Sequence, residues 1–173
     1  MKYLALLAIA VSGAAPAEVV SSSTNGFEVR EVVPLVVPPD VAWSSFANAS
    51  QWWDPDHTYS GKSENLSLSL QPGGCFCERF PKGGGVEHLR VTYVEPGKHV
   101  VLTGALGPLL YEAAVGVMDV QVKQTAGGAQ LTLDYKVAGF ANGGADKLAP
   151  EVDGVLAAQM TRLRTYAARR PRT

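Results

Sequence analysis

Residues 73–80 read Gly-Gly-Cys-Phe-Cys-Glu-Arg-Phe and hold both cysteines of the chain, Cys75 and Cys77, one residue apart. Such a pair can bridge, bind a metal, act as a nucleophile, or pack as two small apolar side chains. A structural zinc ion needs four ligands, and two cysteines with no histidine on their side of the strand do not supply them; no metal is expected. A catalytic thiol needs a neighbouring base, and none is expected beside these two. A Cys75–Cys77 bridge is the harder reading to set aside. Residues i and i+2 of a flat strand hold their Cα atoms about 6.6–6.8 Å apart, whereas a disulfide brings its Cβ atoms to about 3.8 Å. The bridge would need a bulge or kink, which Gly73-Gly74 could provide. The first expectation is two thiols lining an interior, the second a labile disulfide.

The run WWDPDHTY, residues 52–59, concentrates two tryptophans, two aspartates, a histidine and a tyrosine. It reads as the mouth or lid of an apolar site with Asp54, Asp56 and His57 at the rim, or as a helix end with one tryptophan in the core and the polar residues capping a turn. Adjacent tryptophans do not easily both enter a core, so one of Trp52 and Trp53 is expected to face a pocket or the outside. Glu87 is the carboxylate whose pKa burial could raise for acid–base work, unless Arg79 holds it as an ordinary ion pair. Gly61-Lys62-Ser63 resembles the end of a phosphate loop, but the glycine required five residues before it is Asp56, and no GxSxG occurs.

The elements that must position these groups are mostly strands. GFEVREVVPLVV, residues 26–37, alternates as a strand that Pro38-Pro39 ends, and a helical segment follows from Val41. Residues 65–70, CFCERF, VEHLRVTYV, HVVLTGAL, VGVMDVQVK and AQLTLDYKV then succeed one another, separated by glycine-rich turns. In the last of these, Leu131, Leu133, Tyr135 and Val137 are expected inside. The chain closes with Leu148, Val152, Val155, Leu156, Met160, Leu163 and Tyr166 at helical spacing. Pairing Phe80 with Val86 in the hairpin closed by PKGGG sets Arg79 opposite Glu87, Glu78 opposite His88, Cys77 opposite Leu89 and Cys75 opposite Val91. That register puts the cysteines on the apolar face and His88 in solvent.

With 173 residues, 46% hydrophobic and 18% charged, the chain suits a globular protein of one domain. A net charge of −1, with basic clustering confined to Arg169, Arg170 and Arg172, argues against nucleic-acid binding. Those arginines read as cations at a helix C-terminus. Residues 1–17 have the early lysine, short apolar run and Ala15-Pro16-Ala17 of a cleavable secretory signal, so an exported chain, periplasmic or secreted, is the expectation, in a compartment where thiols oxidise. No stretch is long enough for a transmembrane helix. Residues 18–25 are expected to be a flexible lead-in, 26–168 the domain and 169–173 a basic tail.

An order of strand, helical segment, six strands and long amphipathic helix resembles the helix-grip fold of the START and birch-pollen-allergen superfamily, often called SRPBCC. The stretches WWDPDHTYSG, GGCFCERF, GVEHLRVTYVEPGK and LTGALGPL are similar to its polyketide-cyclase-like members and to homologues of the heat-shock-protein ATPase activator. The resemblance spans residues 26–168 and implies an α+β fold: a curved antiparallel sheet of about seven strands wrapped around a C-terminal helix. An exported member would depart from the chaperone-activating role. The architecture implies a small apolar or amphipathic molecule, and no cofactor, between sheet and helix. The expected liners are Trp52, Trp53, Cys75, Cys77, Leu89, Tyr93, Tyr111 and Tyr135, with Arg79 and Glu87 as polar contacts. Two rival readings are a cyclase-, dehydratase- or isomerase-type enzyme using Glu87 or His57, and an interaction module anchored by an exposed Trp52 or Trp53.

Overall fold

The computed structural model describes residues 18–170; the expected leader, residues 1–17, and Arg172 lie outside them. Strands β1 (Glu18–Ser23) and β2 (Gly26–Leu35) form a hairpin. Helix α1 (Pro39–Ala47) follows, with proline at its first turn, where the missing N–H costs nothing. Six strands come next: β3 (Leu66–Leu68), β4 (Cys75–Arg79), β5 (Gly85–Glu95), β6 (His99–Gly104), β7 (Ala113–Thr125) and β8 (Gly128–Phe140). Helix α2 (Ala149–Ala168) ends the described chain.

The eight strands make one antiparallel sheet in the order β1-β2-β8-β7-β6-β5-β4-β3. This is the α+β helix-grip arrangement expected from the sequence, with one strand more. The added strand is β1: residues 18–23, expected to be a flexible lead-in, pair with residues 26–30. Their polar, mostly exposed composition hid a strand whose stabilisation comes from backbone pairing at a sheet edge.

Alternation decides the inner face where no irregularity intervenes. Phe27, Val29, Val33 and Leu35 of β2 are buried, as are Leu131, Leu133, Tyr135 and Val137 of β8. Leu156, Met160 and Leu163 of α2 meet them as the expected stripe, each contributing about 1.5–3 kcal/mol on full burial. Helix α2 lies chiefly against β2, with α1 beside it. Arg169 and Arg170 stand at its C-terminal end, where Arg170 donates to Ser44 Oγ at 3.1 Å. No helix of the described residues is long and apolar enough to cross a membrane.

The β4–β5 hairpin departs from the expected register. Arg79 faces Gly85, Glu78 faces Val86 and Cys77 faces Glu87, but Phe76 faces Leu89 and Cys75 faces Arg90. One extra residue, His88, therefore sits in β5 as a bulge. The neighbouring strand makes room for the bulge. Gly104 of β6, at φ +152°, approaches so closely that an added Cβ would lie 2.4 Å from the His88 carbonyl oxygen. That carbonyl accepts from Ala105 N–H at 2.9 Å.

Candidate functional site

The bulge reverses the faces of β4 and of Glu87 and His88 relative to the expected register, while Leu89 and Val91 keep the inner face. Phe76 and Glu78 point inward, and His88 joins them as a buried side chain. Cys75 and Cys77 point to the outer face, where they form a disulfide with Cα atoms 5.4 Å apart. The expectation of two thiols lining the interior is thus corrected, because register was read from apolar alternation, which treats cysteine as a small hydrophobe. The alternative, a Cys75–Cys77 bridge, is the arrangement found, but the bulge lies at His88 of β5 and not at Gly73-Gly74.

Between the N-terminal half of α2 and this part of the sheet lies a cavity of about 460 Å³. Its sheet wall is Phe76 and His88, and its helix wall Leu148, Val152, Val155 and Leu156. Two loops complete it: residues 53–59, including Trp53, His57 and Tyr59, and the turn Gly107–Tyr111 with Leu106 before it. Asp56, Glu151 and Tyr111, which is 78% exposed, stand at the rim. The interior is mainly hydrocarbon and aromatic, with a few convergent polar groups, as small-molecule sites are.

Glu78 and His88 are the chemically pronounced pair. The Glu78 carboxylate accepts from Tyr59 N–H at 3.1 Å, Ser60 N–H at 2.5 Å and His88 Nε2 at 3.2 Å, with none of the side chain exposed. Burial alone would raise its pKa; the hydrogen bonds from Ser60, Tyr59 and His88 outweigh burial and hold it below the usual carboxylate range. Burial lowers the pKa of His88, an effect the adjacent Glu78 only partly reverses. At neutral pH the pair is an ionised carboxylate and a neutral imidazole. The carboxylate accepts only, so Nε2 carries the proton and Nδ1 is the basic nitrogen. The His88 ring packs, tilted, against Phe76 at 5.1 Å and Tyr59 at 5.8 Å between ring centres. Tyr59 donates to Gly107 O at 2.7 Å, tying the two loops together, and burial raises its pKa first, with smaller contributions from Tyr111 and Glu78.

A second polar anchor comes from α2. Gln159, fully buried, accepts from Asp54 N–H through Oε1 at 2.9 Å and reaches His57 Nδ1 with Nε2 at 3.2 Å. Since the amide nitrogen donates, His57 Nδ1 accepts and Nε2 bears the proton. Arg162 extends the anchor, donating to Trp52 O at 2.9 Å and pairing with Asp54 at 3.5 Å. Gln159→Leu, close in volume, should lower stability by about 1–3 kcal/mol, the cost of leaving such partners unpaired. Thermal melts check this, and loosening of the 53–59 loop should appear as faster amide exchange there.

Several expected residues lie elsewhere. Trp53 does line the cavity and donates to His57 O at 3.0 Å, and Tyr111 and His57 line it too. Trp52 belongs to the core, 3% exposed, donating to Ser45 O at 2.9 Å. Leu89 and Trp52 instead border a small void of about 20 Å³. Tyr135 is wholly buried among strands, accepting from Leu106 N–H at 3.3 Å; burial pushes its pKa up to about 12. Tyr93, 47% exposed, sits on the outer face against His99. Arg79 is exposed at the strand end, and Glu87 is an exposed partner of Arg90, not a buried acid. Both tryptophans are sequestered, Trp53 at 9% exposure, which removes the proposed anchor of an interaction module. Glu78 and His88 were legible in sequence as a facing pair, but on the wrong side of the sheet. Of the Gly107–Tyr111 turn only Tyr111 was expected as a liner; Gly107, Pro108 and Leu109 were not.

No family model matches the sequence, and no curated protein does either. Solved structures do resemble the fold. The protein MLL2253 from Mesorhizobium loti superposes at a TM-score of 0.60 with 18% identity, covering 83% of this chain and 98% of that one. CalU16 from Micromonospora echinospora gives 0.54 at 11% identity, covering 83% and 76%. The di-domain ARO/CYC BexL from the BE-7585A biosynthetic pathway gives 0.57 at 13% identity, covering 86% of this chain and 52% of that one. At these identities the likeness establishes the fold alone. The class defined by fold and site is a helix-grip α+β protein with an apolar cavity between its sheet and C-terminal helix.

Proposed function

We propose that the protein binds a small apolar or amphipathic molecule between its sheet and α2. The observation that carries this reading is the 460 Å³ cavity, walled by Phe76, Trp53 and the aliphatic face of α2. The polar groups at its edge, His57, Tyr59 and His88, would orient a ligand while the hydrocarbon walls supply affinity. We further propose that binding occurs in an exported compartment; a disulfide between Cys75 and Cys77 supports that placement, since such bridges persist where thiols oxidise. The primary test is native mass spectrometry of protein purified without denaturation: a discrete extra mass is expected. Protein that is always apo, and that fails to bind anilinonaphthalene sulfonate, overturns the reading. Val155→Trp places an indole in the cavity and should weaken binding of that probe about tenfold, an effect of about 1.4 kcal/mol.

The Glu78–His88 pair favours a second reading, acid–base chemistry on the bound molecule. A neutral imidazole oriented by a carboxylate is a general-base arrangement. BexL, an ARO/CYC protein of a biosynthetic pathway, shares the fold. His88, with Glu78 positioning it, replaces the expected Glu87 as the catalytic residue of this reading. A turnover unchanged by His88→Gln in any substrate screen that yields activity would remove it.

A further inference from the structure

We infer that the Cys75–Cys77 disulfide is a thiol-exchange site on the outer face of the sheet, and that its opening by a dithiol reductant repositions His88 and weakens ligand binding in the cavity. The inference deepens the binding reading and rests on it.

Three observations on the hairpin combine. The bridge draws residues 75 and 77 to a Cα separation of 5.4 Å, against about 6.6–6.8 Å for two steps of a regular strand. The contracted segment faces the extra residue of β5: Phe76 pairs with Leu89 and Cys77 with Glu87, leaving His88 as the bulge. A short β4 opposite a long β5 is the geometry a bulge needs, so the disulfide and the inward turn of His88 are two sides of one feature. Third, the residue between the cysteines is Phe76, whose ring lies 5.1 Å from those of both His88 and Trp53, and Glu78 follows Cys77 directly. Phe76 and Glu78, two of the side chains held against His88, are therefore each next to a bridged cysteine in sequence. In a strand, a one-residue change of register turns side chains to the opposite face.

The sulfurs are placed for exchange. They lie half-buried on the face away from the cavity, beside Glu87 and Arg90, so a thiol can reach them with the cavity occupied. The step balances simply. A thiolate of the dithiol attacks one sulfur, the Cys75–Cys77 bond breaks, and a mixed disulfide forms. The reductant's second thiol then closes on that bond. Two electrons and two protons end on Cys75 and Cys77, and the reductant leaves as its cyclic disulfide. Relieved of its contraction, β4 can extend, and the bulge loses its counterpart.

The experiment compares oxidised protein, protein reduced with dithiothreitol, and the Cys75→Ser/Cys77→Ser variant. Two quantities are read: affinity for anilinonaphthalene sulfonate, and the titration of the His88 ring followed by NMR. Reduced protein and variant are expected to bind the probe at least about fivefold more weakly and to share a His88 titration moved towards that of a solvated imidazole, with only the reduced wild type recovering on reoxidation. Identical affinity and identical His88 titration in both redox states overturn the inference. So does loss of the fold in both the reduced protein and the variant, which would make the bridge a staple and nothing more. If oxidised protein fails to bind the probe, the binding reading fails by itself, and the His88 titration still decides whether the disulfide controls that side chain.

Discussion

Glu78→Ala should destabilise the protein by about 3–5 kcal/mol, the range for removing one partner from a buried charged network, and should abolish probe binding in whatever fraction remains folded. The carboxylate accepts from Tyr59 N–H and Ser60 N–H, on the loop that follows Trp53, and from His88 of β5. Truncation leaves two backbone donors and a buried imidazole without their acceptor. The same loop carries His57 and Tyr59, so the cavity loses a wall as well as its carboxylate. Glu78→Gln is gentler, because an amide oxygen still accepts, but it removes the ionised form. The pH dependence follows from direction alone. A carboxylate held below its unfolded value stabilises the fold at neutral pH and ceases to do so as pH falls through its native pKa. Wild type should therefore lose more stability on acidification than Glu78→Gln does, measured by urea titration at several pH values. Parallel acid profiles would show that the carboxylate's charge contributes nothing.

How much of this was legible in the sequence depended on whether apolar alternation ran undisturbed. Strand β8 alternates without a break from Gly128 to Val137, and Leu131, Leu133, Tyr135 and Val137 fall inside as expected. The α2 stripe was equally plain, because a helix against a sheet needs only one face to be apolar. The β4–β5 hairpin defeated the same rule. Cys75 and Cys77 imitate small hydrophobes, and Glu78 and His88 imitate a solvent-facing ion pair, so the pattern favours a straight register with its faces reversed. What selects the real register is non-local: a bridge between Cys75 and Cys77, and a glycine at 104 that admits the bulge. The pair was found and its environment missed. Glu87, by contrast, stood out as a carboxylate near apolar residues, yet beside the bulge it turns to solvent and to Arg90.

The same rule missed Glu31, which occupies an inward position of β2 at 4% exposure, and its substitution should make the protein more stable in mild alkali. One carboxylate oxygen of Glu31 and one of Asp153, on α2, are buried without a hydrogen-bond partner. Burial, and secondarily the charge of Asp153, push the Glu31 pKa up to about 7. Burial and Glu18 likewise raise that of Asp153. Below the unfolded value near 4.5 both states hold the proton and Glu31 costs nothing. Between there and about 7 the native state keeps a proton that the unfolded chain releases, so stability falls as pH rises. Above that range the full penalty applies, about 3 kcal/mol at 1.36 kcal/mol per pKa unit. Glu31→Gln keeps the shape and removes the charge. It should exceed wild type by about 2–3 kcal/mol near pH 8 and differ far less below the unfolded pKa, in denaturant titrations across that range. A gap that is constant with pH would mean that Glu31 does not carry the alkaline loss. Because Glu31 lies between β2 and α2 while Glu78 lies beneath the cavity loops, the two substitutions share no hydrogen-bond partner, and their effects should add in a double variant.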